Sequence, residues 1–276
     1  MSFRDDDSAP ISPMQTSEGE FYNSTGDETA LNGPSFQRVV MRALTSTSDL
    51  LGRRLKSLTI EGLYDGHQAL YDETSFRALL ASLTHLHIST TTHPTSHEVG
   101  LFWSTDVQRS FLSTPSSTLT SLTLASDQQV GVNPHLDFGS LSYPNLTTLS
   151  LESIQFNQEV GIEQFILRHG HTLTSLRLNN CTIAQKEDEA ETAAGPHYPL
   201  RTWSQIWTSF SAELVVLENL TVVYISGWGH APMRYSWRQD GYFWNCRSWN
   251  VEQDDAGLEQ FEALVAGRRE TGMVID

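Results

Sequence analysis

Four histidines, His85, His87, His93 and His97, are the densest group of imidazoles in this 276-residue chain. Imidazole nitrogens at such spacing could hold zinc. His85 and His87 flank Leu86 in a predicted strand and therefore project to the same face, about one strand repeat apart. His93 and His97 fall in the polar loop that follows, and no cysteine or acidic run joins them. The reading preferred here is solvated surface histidine, so no metal and no cofactor is assigned. Catalytic signatures are missing too. The chain has no P-loop, no Gly-x-Gly-x-x-Gly, no Gly-x-Ser-x-Gly, no His-Glu-x-x-His and no Cys-x-x-Cys. Gly227-Trp228-Gly229 is too short to cradle a phosphate and reads as a tight turn.

The strand that carries His85 belongs to a series. Leu173–Ile183 reads Leu-x-x-Leu-x-Leu-x-x-Cys-x-Ile, the strand segment of a leucine-rich repeat, with Cys181 at its Asn/Cys position. Related stretches start at Leu55, Leu83, Leu119 and Leu146, and a looser one at Leu217, giving spacings of 28, 36, 27, 27 and 44 residues. Three of these spacings sit near the period of this repeat type, and insertions account for the other two. One such unit cannot bury its own apolar face, so each needs its neighbours.

Helical stripes fill the gaps. Phe76, Leu79 and Leu80 form one, and Val107 with Phe111 another. Ile162, Phe165, Ile166 and His169 share one side, and Trp203, Ile206, Trp207, Phe210 and Leu214 make the longest stripe. Strand, connection and helix in alternation predict parallel strands with right-handed crossovers. The expected fold is an α/β leucine-rich-repeat solenoid, or horseshoe. Its parallel strands line the concave face and irregular helices the convex face.

The ends depart from this pattern. Residues 1–33 are rich in Ser, Thr, Asp and Glu, set Arg4 against seven acids, and read as a disordered tail. The leucine-rich-repeat domain is placed at 34–276, opening with a helix capped by Ser35 whose apolar face is Phe36, Val39, Val40, Ala43 and Leu44. An acidic insertion occupies 184–199 and a C-terminal cap 231–267. Within the cap, Asp240-Gly241 suits a two-residue hairpin turn, which pairs Gln239 with Tyr242, Trp237 with Trp244 and Tyr235 with Cys246. A helix bearing Leu258, Phe261, Leu264 and Val265 follows. Solenoids need such atypical ends to cover the last core layer.

A net charge of -16 argues against non-specific binding to nucleic acid or to anionic membrane. No window has the apolar length to span a bilayer, and the acidic, polar start offers no export signal. Cys181 and Cys246 then read as reduced thiols of an intracellular protein, cytoplasmic or nuclear.

The run FQRVVMRAL at Phe36–Leu44 leading into LKSLTI, the strands LTSLTL, LTTLSL and LTSLRL, and the closing LEQFEALVAGRR together resemble the fungal F-box and leucine-rich-repeat proteins. The likeness covers roughly residues 35–270, the repeat region of that family. It implies substrate reception for a ubiquitin ligase, with an F-box gripping the adaptor Skp1. Residues 1–33 do not resemble the apolar, Leu-Pro-led F-box, so Skp1 binding is not expected of this polypeptide.

Function then falls to the outward strand positions. These are Ser57 and Thr59, His85 and His87, Ser121 and Thr123, Thr148 and Ser150, Ser175 and Arg177, and Asn219 and Thr221. Solenoids commonly bind through this surface, while Ser and Thr are also ordinary strand residues with no partner. The expected function is a non-enzymatic scaffold for a protein partner of unknown identity. The alternative is a metal-dependent or hydrolytic enzyme on the same scaffold.

Overall fold

Each of the six leucine stretches carries a strand, and in the four inner ones alternate residues are buried. The structure is a computed structural model describing residues 33–51, 55–92, 99–115, 117–185, 201–223, 234–239, 242–247 and 251–271. Its strands are β1 (Ser57–Tyr64), β2 (His85–Thr91), β3 (Ser121–Val130), β4 (Thr148–Phe156), β5 (Ser175–Asn179), β6 (Thr182–Gln185), β7 (Asn219–Val223), β8 (Arg234–Gln239) and β9 (Tyr242–Arg247). Parallel pairing runs β1-β2-β3-β4-β5-β7. One inward row is Leu58, Leu86, Leu122, Leu149, Leu176 and Leu220, and the next is Ile60, Ile88, Leu124, Leu151, Leu178 and Val222. This register is constant although the sequence spacing is not, so the insertions lie in the connections.

The helices supply the other side of the core. They are α1 (Gly33–Leu51), α2 (Thr74–Ala81), α3 (Val99–Leu101) running into a π-helical stretch (Phe102–Leu112), α4 (Ile162–Arg168), α5 (Trp203–Glu213) and α6 (Val251–Thr271). Phe76, Phe111, Phe165 and Trp207 pack with the strand leucines in one continuous core. The result is an α/β fold around an open, mainly parallel sheet.

A threonine row locks successive strands together. Thr84, Thr120, Thr147 and Thr174 each follow the first leucine of their unit. The Thr84 carbonyl accepts from Thr120 N–H at 2.8 Å, Ser121 N–H at 3.0 Å and the Thr120 hydroxyl at 2.9 Å. The Thr120 and Thr147 carbonyls repeat the arrangement with Thr147 and Thr174. A strand start without these donors would leave carbonyls unpaired at the sheet margin. The end units differ, with Lys56 and Glu218 at the same position.

A branch leaves the main sheet at β4, whose Gln155 and Phe156 pair with Thr182 and Ile183 of β6. Strand β6 pairs in parallel with β8, and β8 forms an antiparallel hairpin with β9. The hairpin register matches Gln239 with Tyr242, Trp237 with Trp244 and Tyr235 with Cys246, as the Asp-Gly turn predicts. Fully buried polar groups tie the branch in. The Thr182 hydroxyl donates to Gln129 Oε1 at 3.0 Å and lies 3.2 Å from Ser236 Oγ, and Gln155 Oε1 accepts from Val132 N–H at 2.9 Å.

Helix α5 opens with a capping box, Thr202 and Gln205 satisfying each other's backbone N–H groups. Helix α6 lies against it through Phe261, which stacks on Trp207 at 5.8 Å. Asp254, fully buried, accepts from Ser204 N–H at 2.8 Å and from the Tyr235 hydroxyl at 2.8 Å, while Trp203 N–H donates to the same hydroxyl at 3.2 Å. One carboxylate thus joins α6, the hairpin and the N-terminus of α5, where negative charge is favourable.

Some expectations change. Helix α1 begins at Gly33, so Ser35 lies within it and is not the cap. Of its expected apolar face, Val39, Val40 and Leu44 are 50%, 39% and 37% exposed, while Met41 and Thr45 are buried. Polar bonding explains the orientation. Gln37 accepts from Tyr64 N–H at 2.9 Å and donates to the Tyr71 hydroxyl at 2.7 Å, so the helix docks by its Gln37–Met41–Thr45 edge. On α6 the buried stripe is Asp254, Leu258, Phe261 and Val265, and Leu264 is exposed. The acidic insertion expected at 184–199 starts inside β6, at Ala184 and Gln185; residues 186–199 lie outside the described residues, as do 1–32 of the expected tail.

Candidate binding face

Strand alternation and register place all twelve outward positions in two rows. Ser57, His85, Ser121, Thr148, Ser175 and Asn219 are partners across the six strands, and so are Thr59, His87, Thr123, Ser150, Arg177 and Thr221. The positions on β3 and β4, with His87 and Ser175, are half-buried by their neighbours. Ser57, Thr59, His85, Arg177, Asn219 and Thr221 are exposed. Adjacent members of a row stand about 4.8 Å apart, and the two rows about 6.7 Å apart along the strands.

The chemistry of this face is that of hydrogen bonding without acids. Eight of the twelve side chains are hydroxyls, each a donor and an acceptor. Two are imidazoles, one is an amide and one is a guanidinium. His85 Nδ1 lies 2.9 Å from Thr84 Oγ1, which steadies its ring. The Arg177 guanidinium makes no ion pair or hydrogen bond among the described residues, a free cation on a chain of net charge -16. One row further along stands an acid, Glu152 on β4, and Glu61 is exposed where the pairing of β1 with β2 is irregular.

His85 and His87 share the face as expected, and His93 and His97 lie outside the described residues. Among the described residues no group of three or more His, Cys, Asp and Glu is placed to hold a metal ion. Neither imidazole is hydrogen-bonded to the hydroxyls beside it in register.

Other titratable groups are structural or lie off the face. Burial pushes the Cys181 thiol up to about 12, which keeps it a neutral core residue. Burial holds His169 below the ordinary histidine range. Its Nδ1 lies 2.7 Å from the Phe165 carbonyl and its Nε2 accepts from Tyr143 N–H at 3.0 Å, which sets the neutral tautomer. His67, after β1, places Nδ1 at 3.0 and 3.1 Å from both oxygens of buried Asp106 in the π-helical stretch. Thirty-nine residues separate this pair, and no local spacing announces it.

Among the described residues no helix is long and apolar enough to cross a membrane. Comparison with protein-family models, with curated proteins and with solved structures finds no match to this chain.

Proposed function

We propose that the chain is a leucine-rich-repeat solenoid serving as a non-enzymatic protein–protein interaction scaffold, with the two outward rows as its binding face. The observation that carries this reading is the unbroken register of those rows across six strands whose sequence spacing varies. Among the described residues this surface of aligned hydroxyls, imidazoles and an unpaired guanidinium offers many hydrogen bonds and no assembled nucleophile and base. The resemblance to the F-box and leucine-rich-repeat family supports an intracellular relative of the repeat region of the substrate receptors.

The runner-up, a hydrolytic or metal-dependent enzyme, is favoured by one observation: His67 oriented by a buried carboxylate, an arrangement suited to a general base. Among the described residues no Ser, Thr or Cys is hydrogen-bonded to that imidazole, which leaves the pair without a nucleophile.

A photo-crosslinking amino acid placed at Ser150 tests the scaffold reading, with exposed Gln164 on α4 as the control. In extract of the cells that make the protein, the Ser150 position yields a discrete protein adduct that Gln164 does not. Identical adducts from both positions, or none from Ser150, contradict the proposal.

A further inference from the structure

On the reading that the outward rows are a binding face, its charge pattern specifies the kind of segment that fits. The two rows contain no Asp or Glu, although the chain has 33 of them. Their protonatable or cationic groups form two poles. His85 and His87 stand on β2, and Arg177 stands on β5 with its guanidinium unpaired among the described residues. Strands β3 and β4 lie between, so the poles are three strand spacings apart, about 14 Å. Between them lie only hydroxyls, Ser121 and Thr123 on β3 and Thr148 and Ser150 on β4.

The surroundings confine the track. Glu152 faces the same way one row further along β4 and repels an acidic ligand that strays there. At the strand starts Glu218 on the β7 side repels an acidic ligand and Lys56 on the β1 side attracts one. The acid-free rows across β2–β5, between the two poles, are the path such a ligand takes.

We infer that this track binds an extended acidic segment of a protein partner, carrying two carboxylates four residues apart. An extended chain advances about 3.3 Å per residue, so positions i and i+4 lie about 13 Å apart and on the same side. One carboxylate meets Arg177 in a charge-assisted, bidentate bond. The other meets His87, whose neutral imidazole still supplies one N–H donor, while His85 Nδ1–H is engaged by Thr84 Oγ1, whose own proton goes to the Lys56 carbonyl. The intervening backbone groups bond to the hydroxyls of β3 and β4.

Selection of a phage-displayed random-peptide library on the full chain tests this. The expected result is enrichment of Asp or Glu pairs spaced i, i+4. A synthetic peptide of the enriched sequence should lose about tenfold or more in affinity on Arg177→Ala and on joint His85→Ala, His87→Ala substitution. Arg109→Ala, on the helical side, leaves binding unchanged, and melting curves confirm that each variant is folded. Peptides lost on Ser150→Trp but lacking an acidic pair, and indifferent to Arg177→Ala, overturn the acidic segment and leave the face standing. Peptides that survive Ser150→Trp overturn the face and the segment together. A selection that enriches nothing also overturns the inference.

Discussion

His169 is held neutral by position, between the Phe165 carbonyl and the Tyr143 N–H. Desolvation lowers its pKa in the folded protein, with the nearby Arg168 charge adding to the effect and the bond to the Phe165 carbonyl opposing it. The unfolded chain therefore takes up this proton more readily. The stabilisation is complete above the ordinary value of 6.5 and is lost as pH falls below it, toward the lowered folded value. His169→Gln should melt below the parent at pH 8, and the gap should narrow steadily toward pH 5. A gap that stays constant across that range would remove His169 from the account. Thr120 makes a different contribution. Its hydroxyl is the third donor to the Thr84 carbonyl, beside two backbone N–H groups. Thr120→Val keeps the shape and removes one bond, so a loss of about 1 kcal/mol is expected in denaturant unfolding. The threonine row was not apparent from the sequence, because Thr is an ordinary strand residue and only the register shows what its hydroxyl reaches.

At the scale of elements, α6 and the hairpin are fastened through Asp254 and Tyr235 rather than through apolar contact alone. Tyr235→Phe removes the hydroxyl that bonds a buried carboxylate and should cost about 1–3 kcal/mol. Leu264→Ala, at an exposed position, should change stability by no more than about 0.5 kcal/mol. Equal effects from the two in thermal melts would count against the fastening. The strand leucines and the hairpin register could be read directly, since period-two burial and an Asp-Gly turn leave little choice. Helix α1 could not. Its apolar period is strong, but the bonds of Gln37 to Tyr64 and Tyr71 decide which side meets the body. Strand β6 escaped for another reason: four residues show no clear period, and its partner β8 lies some fifty residues on. Asp254 is not legible in the sequence, because an acid in an apolar stripe looks like its exposed edge and its partners, Ser204 and Tyr235, lie far along the chain.

At the scale of the whole molecule, the candidate face could be read in the sequence because each outward residue sits at a fixed offset from a leucine. The His67–Asp106 pair depends on a loop meeting a π-helical stretch, and nothing in the sequence marks that encounter. The central claim is that the six units are stacked repeats, each supported chiefly by its neighbours, whose outward residues form one surface. In such an architecture stability is close to a sum of unit and interface contributions, so an inner unit is dispensable. In a single interlocked α/β core it is not. Deletion of residues 83–118 joins Ser82 to Leu119 and brings β1 beside β3 with Leu58 opposite Leu122, the same leucine pairing that each strand now makes with β2. Circular dichroism during thermal unfolding reads the outcome. The account predicts a folded chain with one cooperative transition at a lower midpoint, whereas a chain with no cooperative transition would contradict it.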